Sequence, residues 1–307
     1  MIISQNHPIT NPLGGIKPSG LFIMDFDGTL LRSDRTFADV DLNALQQLGE
    51  RGIVRAIATG RSLFSFNKAC ISNLPLDFVI FSMGAGILQY GEGEIVRQTS
   101  LESHEVERVC KVLKACRLDF MIHRAIPDNH MFAYFRSRSE NDDFERRLNL
   151  YHQHAEPLTD TFKDFNLATQ LLAVVPAGDG RSVLAKVRRE LPDFSVIQTT
   201  SPLDGISTWI EIFPKSVSKS LTAAWLADQL QIDKQQIVSV GNDYNDLDLL
   251  EWAHNSFVVA NAPADLKARF TSVASNNEGG VAEAARRWLE SWEAGTKEGW
   301  EAEKSGS

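Results

Sequence analysis

Cysteine is scarce in this 307-residue chain, and what there is does not pair: Cys70, Cys110 and Cys116 are odd in number and form no CxxC. That excludes a disulfide framework and a zinc ribbon. No apolar run approaches the ~18 consecutive residues of a membrane span. The first twenty residues lack a basic leader followed by an apolar core, so no secretory signal is expected. Pro8, Pro12, Gly14, Gly15 and Pro18 make that stretch a turn-rich lead-in. Positive charge is also short. Lys and Arg number 31 against 40 Asp and Glu, a net charge of −9, which counts against nucleic-acid and anionic-membrane partners. There is no internal repeat and no low-complexity tract. What remains is 43% hydrophobic and 23% charged, an ordinary globular balance. A chain this long buries about three quarters of its unfolded surface and needs no staple. The expected compartment is reducing and cytoplasmic.

Along the chain, short apolar runs at 21–26, 53–58 and 77–82 suit buried parallel strands, with a helix expected over 36–51 between the first two. After Gly84 the pattern changes: strands at 87–90 and 94–98 flank a GEG turn, and a helix is expected at 102–116. Strands follow at 118–123, 131–135, 169–175 and 194–198, with a charged segment at 140–149 and a helix at 181–191. From Trp209 the first pattern returns, with strands at 209–213, 237–240 and 257–260 and helices at 219–230, 246–252 and 281–292. The expected fold class is α/β: a doubly wound, mainly parallel Rossmann-like core sheet with an inserted α+β domain. The core takes 1–85 and 205–293 and the insert 86–204, hinged near 84–86 and 203–207. The polar stretch 294–307 reads as a frayed tail. All six tryptophans fall outside the insert so drawn.

Chemistry concentrates at strand ends, where open α/β sheets build their sites. Asp25-Phe26-Asp27-Gly28-Thr29 ends the first strand, and two carboxylates one residue apart repel unless a cation or proton joins them. Gly241-Asn242-Asp243-Tyr244-Asn245-Asp246 ends the strand at 237–240. If the two strands are neighbours, the combined oxygens suit a hard cation such as Mg²⁺; alone, the second motif could be a helix cap. Thr59-Gly60-Arg61 offers a hydroxyl and free N–H groups at a strand-to-helix turn, a phosphate cradle. Lys219 sits in a first helical turn, against the helix dipole, which argues for a local anion.

These four segments, in this order, resemble the haloacid dehalogenase-like hydrolases, and more narrowly their Cof-like type IIB phosphatases. The resemblance covers about 20–290, including Asn261-Ala262-Pro263, Lys267 and the run from Asn277 to Ala282. It implies hydrolysis of a small phosphorylated metabolite such as a sugar phosphate, through an aspartyl-phosphate, with 86–204 as a substrate cap. Asp25 would be the nucleophile and Asp27 the acid and base, with a pKa raised by its neighbour. Lys219 would neutralise phosphoryl charge and keep Asp25 ionised. Gly28, Thr59, Gly60, Arg61, Lys219 and Asn245 would surround the phosphoryl group. Mg²⁺ would be held by Asp25, by Asp27 through its carbonyl, and by Asn242, Asp243 and Asp246 in a division left open.

Two residues depart from the family pattern: Asn242 stands where an Asp is usual, and Met83 where an Asn usually precedes the glycine. A phosphosugar mutase and a non-catalytic phosphate-binding protein are the alternatives. The second acid, Asp27, counts against dehalogenation. His152 and His154 have a zinc-like spacing but no third ligand nearby, and read as a solvated loop. His123, Arg124, His130 and Arg136 are the insert's candidates for facing a substrate. Oligomeric state is not legible.

Overall fold

The computed structural model describes residues 3–70, 73–137, 140–159 and 165–305. Gly20–Met24, Phe78–Phe81 and Ile237–Gly241 are buried at every position, because helices cover both faces of the sheet they build. Across that sheet Thr271–Val273, Asn255–Val259, Ile237–Gly241, Gly20–Met24, Ile53–Ala58 and Phe78–Phe81 pair in parallel. Phe22, Met24, Val238 and Val240 pack on one face with Leu45, Leu48 and Trp288 of helices Asp39–Glu50 and Gly280–Ser305. Leu21, Ile23, Val54 and Ile80 pack on the other with Ala223, Leu226 and Leu249. The expected doubly wound, mainly parallel α/β sheet is present. It places Gly20–Met24 between Ile53–Ala58 and Ile237–Gly241, so three motif-bearing loops open side by side.

Gly86–Gln89 and Glu94–Glu102 continue the sheet in antiparallel sense, with Ile3–Asn6 on the outer edge. Beyond them Phe194–Thr200, Thr208–Pro214, Leu167–Val175, Asp119–Arg124 and Phe132–Phe135 form an antiparallel succession. Its strands alternate, as a sheet with two different faces must. Ile210, Ile212, Leu171, Ala173, Phe120 and Ile122 meet helices Ser103–Ala115 and Gly180–Glu190. The opposite set, Trp209, Glu211, Gln170, Leu172 and His123, looks into a cavity.

One strand pairs differently from the sequence reading. Thr208–Pro214 was expected to return to the parallel sheet; it lies between Leu167–Val175 and Phe194–Thr200 in the antiparallel one. The signal was Glu211 in mid-strand, which a strand buried among apolar faces does not carry. Trp209 therefore packs with Met121, Phe132, Phe144 and Leu172, on the side of the tryptophan-free segment. The final helix is Gly280–Ser305, where a frayed tail was expected from 294. Short elements at Leu63–Ala69, Ala155–Pro157, Ala264–Lys267 and Thr271–Val273 had no periodicity long enough to read.

Candidate active site

Asp25 follows the central strand, its N–H donating to the Val240 carbonyl at 2.9 Å, so its position is fixed by the sheet itself. The residue is 4% exposed. Lys219, at the first position of helix Lys219–Gln229, is also buried and donates through Nζ to Asp25 Oδ1 at 2.7 Å and Asp246 Oδ1 at 2.6 Å. The expected local anion is thus a pair of carboxylates. Burial alone would lower the Lys219 ammonium, but the attraction of Asp246 and Asp25 outweighs it and holds the charge in place. One ammonium faces two carboxylates and cannot offset the charge of both. Burial, then the charge on Asp246, push the Asp25 carboxyl up to about 8 despite Lys219.

Asp27 is partly exposed and turned away from this cluster. Both its oxygens accept from Arg61, from Nε at 2.7 Å and Nη2 at 2.6 Å. Arg61 also donates to the Ser65 carbonyl and hydroxyl. The guanidinium expected at a phosphoryl group is therefore engaged by Asp27 in this structure. Thr59 is buried, and its hydroxyl oxygen accepts from the Arg61 N–H at 3.1 Å. A Cβ at Gly60 would come within 2.7 Å of Met83 Cε, so a larger residue there would require the methionine's end to shift. Gly28 is doubly constrained, by φ of +75° and by Asn242 Nδ2, 2.6 Å from where a Cβ would stand. Asn261 donates to the Gly28 carbonyl and Asn276 to that of Leu31, so the closing segment braces the first motif from behind.

Among the described residues no three His, Cys, Asp or Glu side chains form a metal cluster. A mixed oxygen set does converge. The amide end of Asn242 lies 3.2 Å from Asp25 Oδ2 and 3.2 Å from the Asp27 carbonyl oxygen. With the amide oxygen turned inward, three acceptors face one another, a donor set that fits a hard cation. With the amide turned over, its NH₂ donates to the same two oxygens and bridges them without one. Asp246 accepts from Lys219 through Oδ1, and through Oδ2 from the N–H groups of Asn242 at 2.8 Å and Asp243 at 3.1 Å, so both its oxygens are engaged within the loop. Asp243 lines the cavity, and its Oδ1 accepts from the Tyr244 N–H. Asn245 also lines it, with a buried Oδ1 that has no partner.

These groups floor a cavity of about 910 Å³, whose far wall is the inner face of the antiparallel sheet. Of the four substrate-facing candidates there, His123 and His130 line it. Arg124 and Arg136 do not; they pair with Glu156 and Glu145. His152 and His154 also line it, the latter stacked edge-on to Phe64 and His130. Sequence reasoning missed Ser82, Asn129, Arg147, Thr199, Trp209 and Glu211. Only Glu211, an acid inside an apolar strand, carried a readable signal. No described helix is long and apolar enough to cross a membrane.

Known proteins are similar to this chain in sequence and fold. A putative phosphatase of Streptococcus pyogenes is 26% identical over 277 residues, covering 88% of this chain and 98% of that protein. The 5-amino-6-(5-phospho-D-ribitylamino)uracil phosphatase YwtE of Bacillus subtilis is 24% identical over 278 residues, covering 84% and 94%. Among solved structures, a subclass IIB sugar phosphatase superposes with a TM-score of 0.67 at 17% identity, covering 88% and 98%. A phosphatase from Bacteroides thetaiotaomicron superposes at 0.70 and 18%, covering 89% and 96%. The family model for haloacid dehalogenase-like hydrolases matches residues 22–284. With three motif-bearing loops at adjacent strand ends beside Lys219, and that match spanning most of the sequence, this chain belongs to the haloacid dehalogenase-like hydrolases.

Proposed function

We propose that this protein is a Mg²⁺-dependent phosphatase of a small phosphorylated metabolite, a sugar or polyol phosphate, working through an aspartyl-phosphate on Asp25. The observation that carries the reading is the buried Asp25–Lys219 pair at the floor of a cavity large enough for such a molecule. A sugar phosphate and a ribitylamino phosphate, the substrates in two relatives' names, share a hydroxylated chain bearing one phosphoryl group. The antiparallel sheet, with Thr208–Pro214 counted in it, would serve as the substrate cap.

A carboxylate oxygen of Asp25 attacks phosphorus as the P–O bond to the alcohol breaks, and the leaving oxygen takes a proton from Asp27. Asp27 must first part from Arg61 and turn towards the substrate. Arg61, so released, faces phosphoryl oxygens beside Thr59, Gly60 and Asn245. In the second step Asp27 takes a proton from the water that attacks the phosphoenzyme, returning Asp25 and inorganic phosphate. Lys219 holds the Asp25 carboxylate in place and offsets phosphoryl charge. Asp25, the Asp27 carbonyl and Asn242 would hold Mg²⁺, which when bound supplies the positive charge that lets two anions approach.

The test is phosphate release from a panel of phosphometabolites and one aryl phosphate, with and without Mg²⁺. Release that requires Mg²⁺ and disappears in Asp25→Asn is expected. Binding of phosphometabolites with no release from any of them would favour the non-catalytic alternative.

A further inference from the structure

The cavity's far wall holds polar atoms that the protein leaves without partners, and their chemistry describes what belongs there. His123 is buried, and its Nδ1 lies 2.8 Å from the Asn129 carbonyl oxygen. A carbonyl can only accept, so the proton sits on Nδ1. Burial, with the nearby Arg147 charge, lowers the imidazole to about 3, so the ring is neutral and Nε2 is a bare acceptor with no donor. Asn129 donates through Nδ2 to Ser82 Oγ at 2.7 Å, which leaves its Oδ1, also buried, as a second acceptor without a donor. Ser82 belongs to the core floor, its N–H donating to the Arg61 carbonyl. These acceptors therefore stand one contact away from the phosphoryl cradle.

Arg147 supplies the opposite need. Its guanidinium packs over Trp209 at 4.5 Å, Tyr151 at 5.2 Å and Phe132 at 6.0 Å. Its Nε is shielded from solvent and has no acceptor. The carboxylates in its field are occupied elsewhere: Glu211 accepts from Thr199 and Gln170, and Asp143 from Ser201 and Trp209. A guanidinium stacked by its faces keeps its edge for in-plane acceptors, and that fork matches a carboxylate or phosphate held by two parallel hydrogen bonds. A shielded charge without such a partner is unfavourable until one arrives.

Resting on the phosphatase reading, we propose that the substrate carries a second oxyanion, bound edge-on by Arg147, on a hydroxylated chain whose hydroxyls donate to His123 Nε2 and Asn129 Oδ1. The protein would thus select a phosphorylated sugar acid or a bisphosphate over a neutral sugar monophosphate.

The experiment compares kcat/KM for glucose 6-phosphate, 6-phosphogluconate and fructose 1,6-bisphosphate, with an aryl phosphate as reference. We expect at least one doubly anionic substrate to exceed the neutral sugar by roughly tenfold or more, the scale of a charged hydrogen bond. The carboxylate and bisphosphate arms say which oxyanion fits. Arg147→Met should collapse that ratio towards one while the aryl phosphate rate stays within a few-fold. Arg147→Lys, which keeps charge and loses the fork, should fall between, and stands in if the methionine variant does not fold. A neutral sugar phosphate equal to or better than both arms, or a ratio unmoved by both substitutions, overturns the proposal. Binding of the same three compounds to Asp25→Asn, read by tryptophan fluorescence, repeats the comparison without turnover. No phosphate release from any substrate, with the binding preference intact, would overturn the phosphatase reading alone; equal binding of all three would overturn the second-oxyanion proposal.

Discussion

Asp25→Asn should stabilise this protein at pH 8 while abolishing turnover, because the nucleophile is held in an environment that resists its charge. Lys219 offers one ammonium to two buried carboxylates, and the Asp25 carboxyl rises from its ordinary 3.8 to about 8, chiefly through burial and then Asp246. Below about pH 4 the group is protonated in folded and unfolded chains alike, and the substitution changes little. Between about pH 4 and 8 the unfolded chain ionises freely and the folded one does not, so wild-type stability falls as pH rises. Asparagine has nothing to ionise and does not share the fall. About four pH units at about 1.36 kcal/mol each bound the difference at about 5 to 6 kcal/mol. The Lys219 hydrogen bond is already contained in that shift, so nothing more is subtracted. The expectation is up to about 5 kcal/mol of extra stability at pH 8 and far less at pH 5. Urea unfolding followed by far-UV circular dichroism, in EDTA at both pH values, measures it. With a slope of about 3 kcal/mol per molar, the midpoint should move up by about 1 to 2 M at pH 8. A variant less stable than wild type at pH 8, or a difference independent of pH, would refute the reasoning: the Lys219 pair would then outweigh burial.

Asp27→Asn should slow alkyl phosphates by about 10²–10⁴ and aryl phosphates much less in single-turnover phosphorylation, since a good leaving group needs little proton; equal losses would remove Asp27 from the acid role. Asn242→Asp adds a charge 3.2 Å from Asp25 Oδ2 and the Asp27 carbonyl. It should lower the Mg²⁺ concentration for half-maximal rate and lower the metal-free Tm, and an unchanged Mg²⁺ titration would take Asn242 out of the cation set. Gly28→Ala meets both a positive φ and the Asn242 side chain, and should cost about 1 to 3 kcal/mol; a Tm within about 1 °C of wild type would contradict that geometry. Trp209 lines the cavity, so a substrate analogue should change the protein's fluorescence, and Trp209→Phe should remove most of that change. A response fully retained in Trp209→Phe would place the ligand away from the antiparallel wall.

What the sequence determined by itself was the set of apolar runs and the residues that end them. A strand buried on both faces has a local signature, and an acid or a Thr-Gly pair just after it is legible because sheets present their loops there. Asp25, Thr59 and Asn242 could thus be assigned to one place once three strands were neighbours, and Lys219 could be suspected from its misfit with a helix N-terminus. The tertiary structure alone decided how competing side chains divide their partners. Asp27 lies against Arg61 rather than Asp25, and Asp246 spends both oxygens on Lys219 and two loop N–H groups, because packing settles which donor each carboxylate meets. It also decided that Thr208–Pro214 joins the antiparallel sheet, a choice between pairing partners far apart in the chain. Arg147, in the charged segment at 140–149 that folds as helix Asp142–Leu150, faces inward only because Trp209 and Tyr151 are there to stack on it. Such a contact depends on three segments at once, and no single stretch of sequence encodes it.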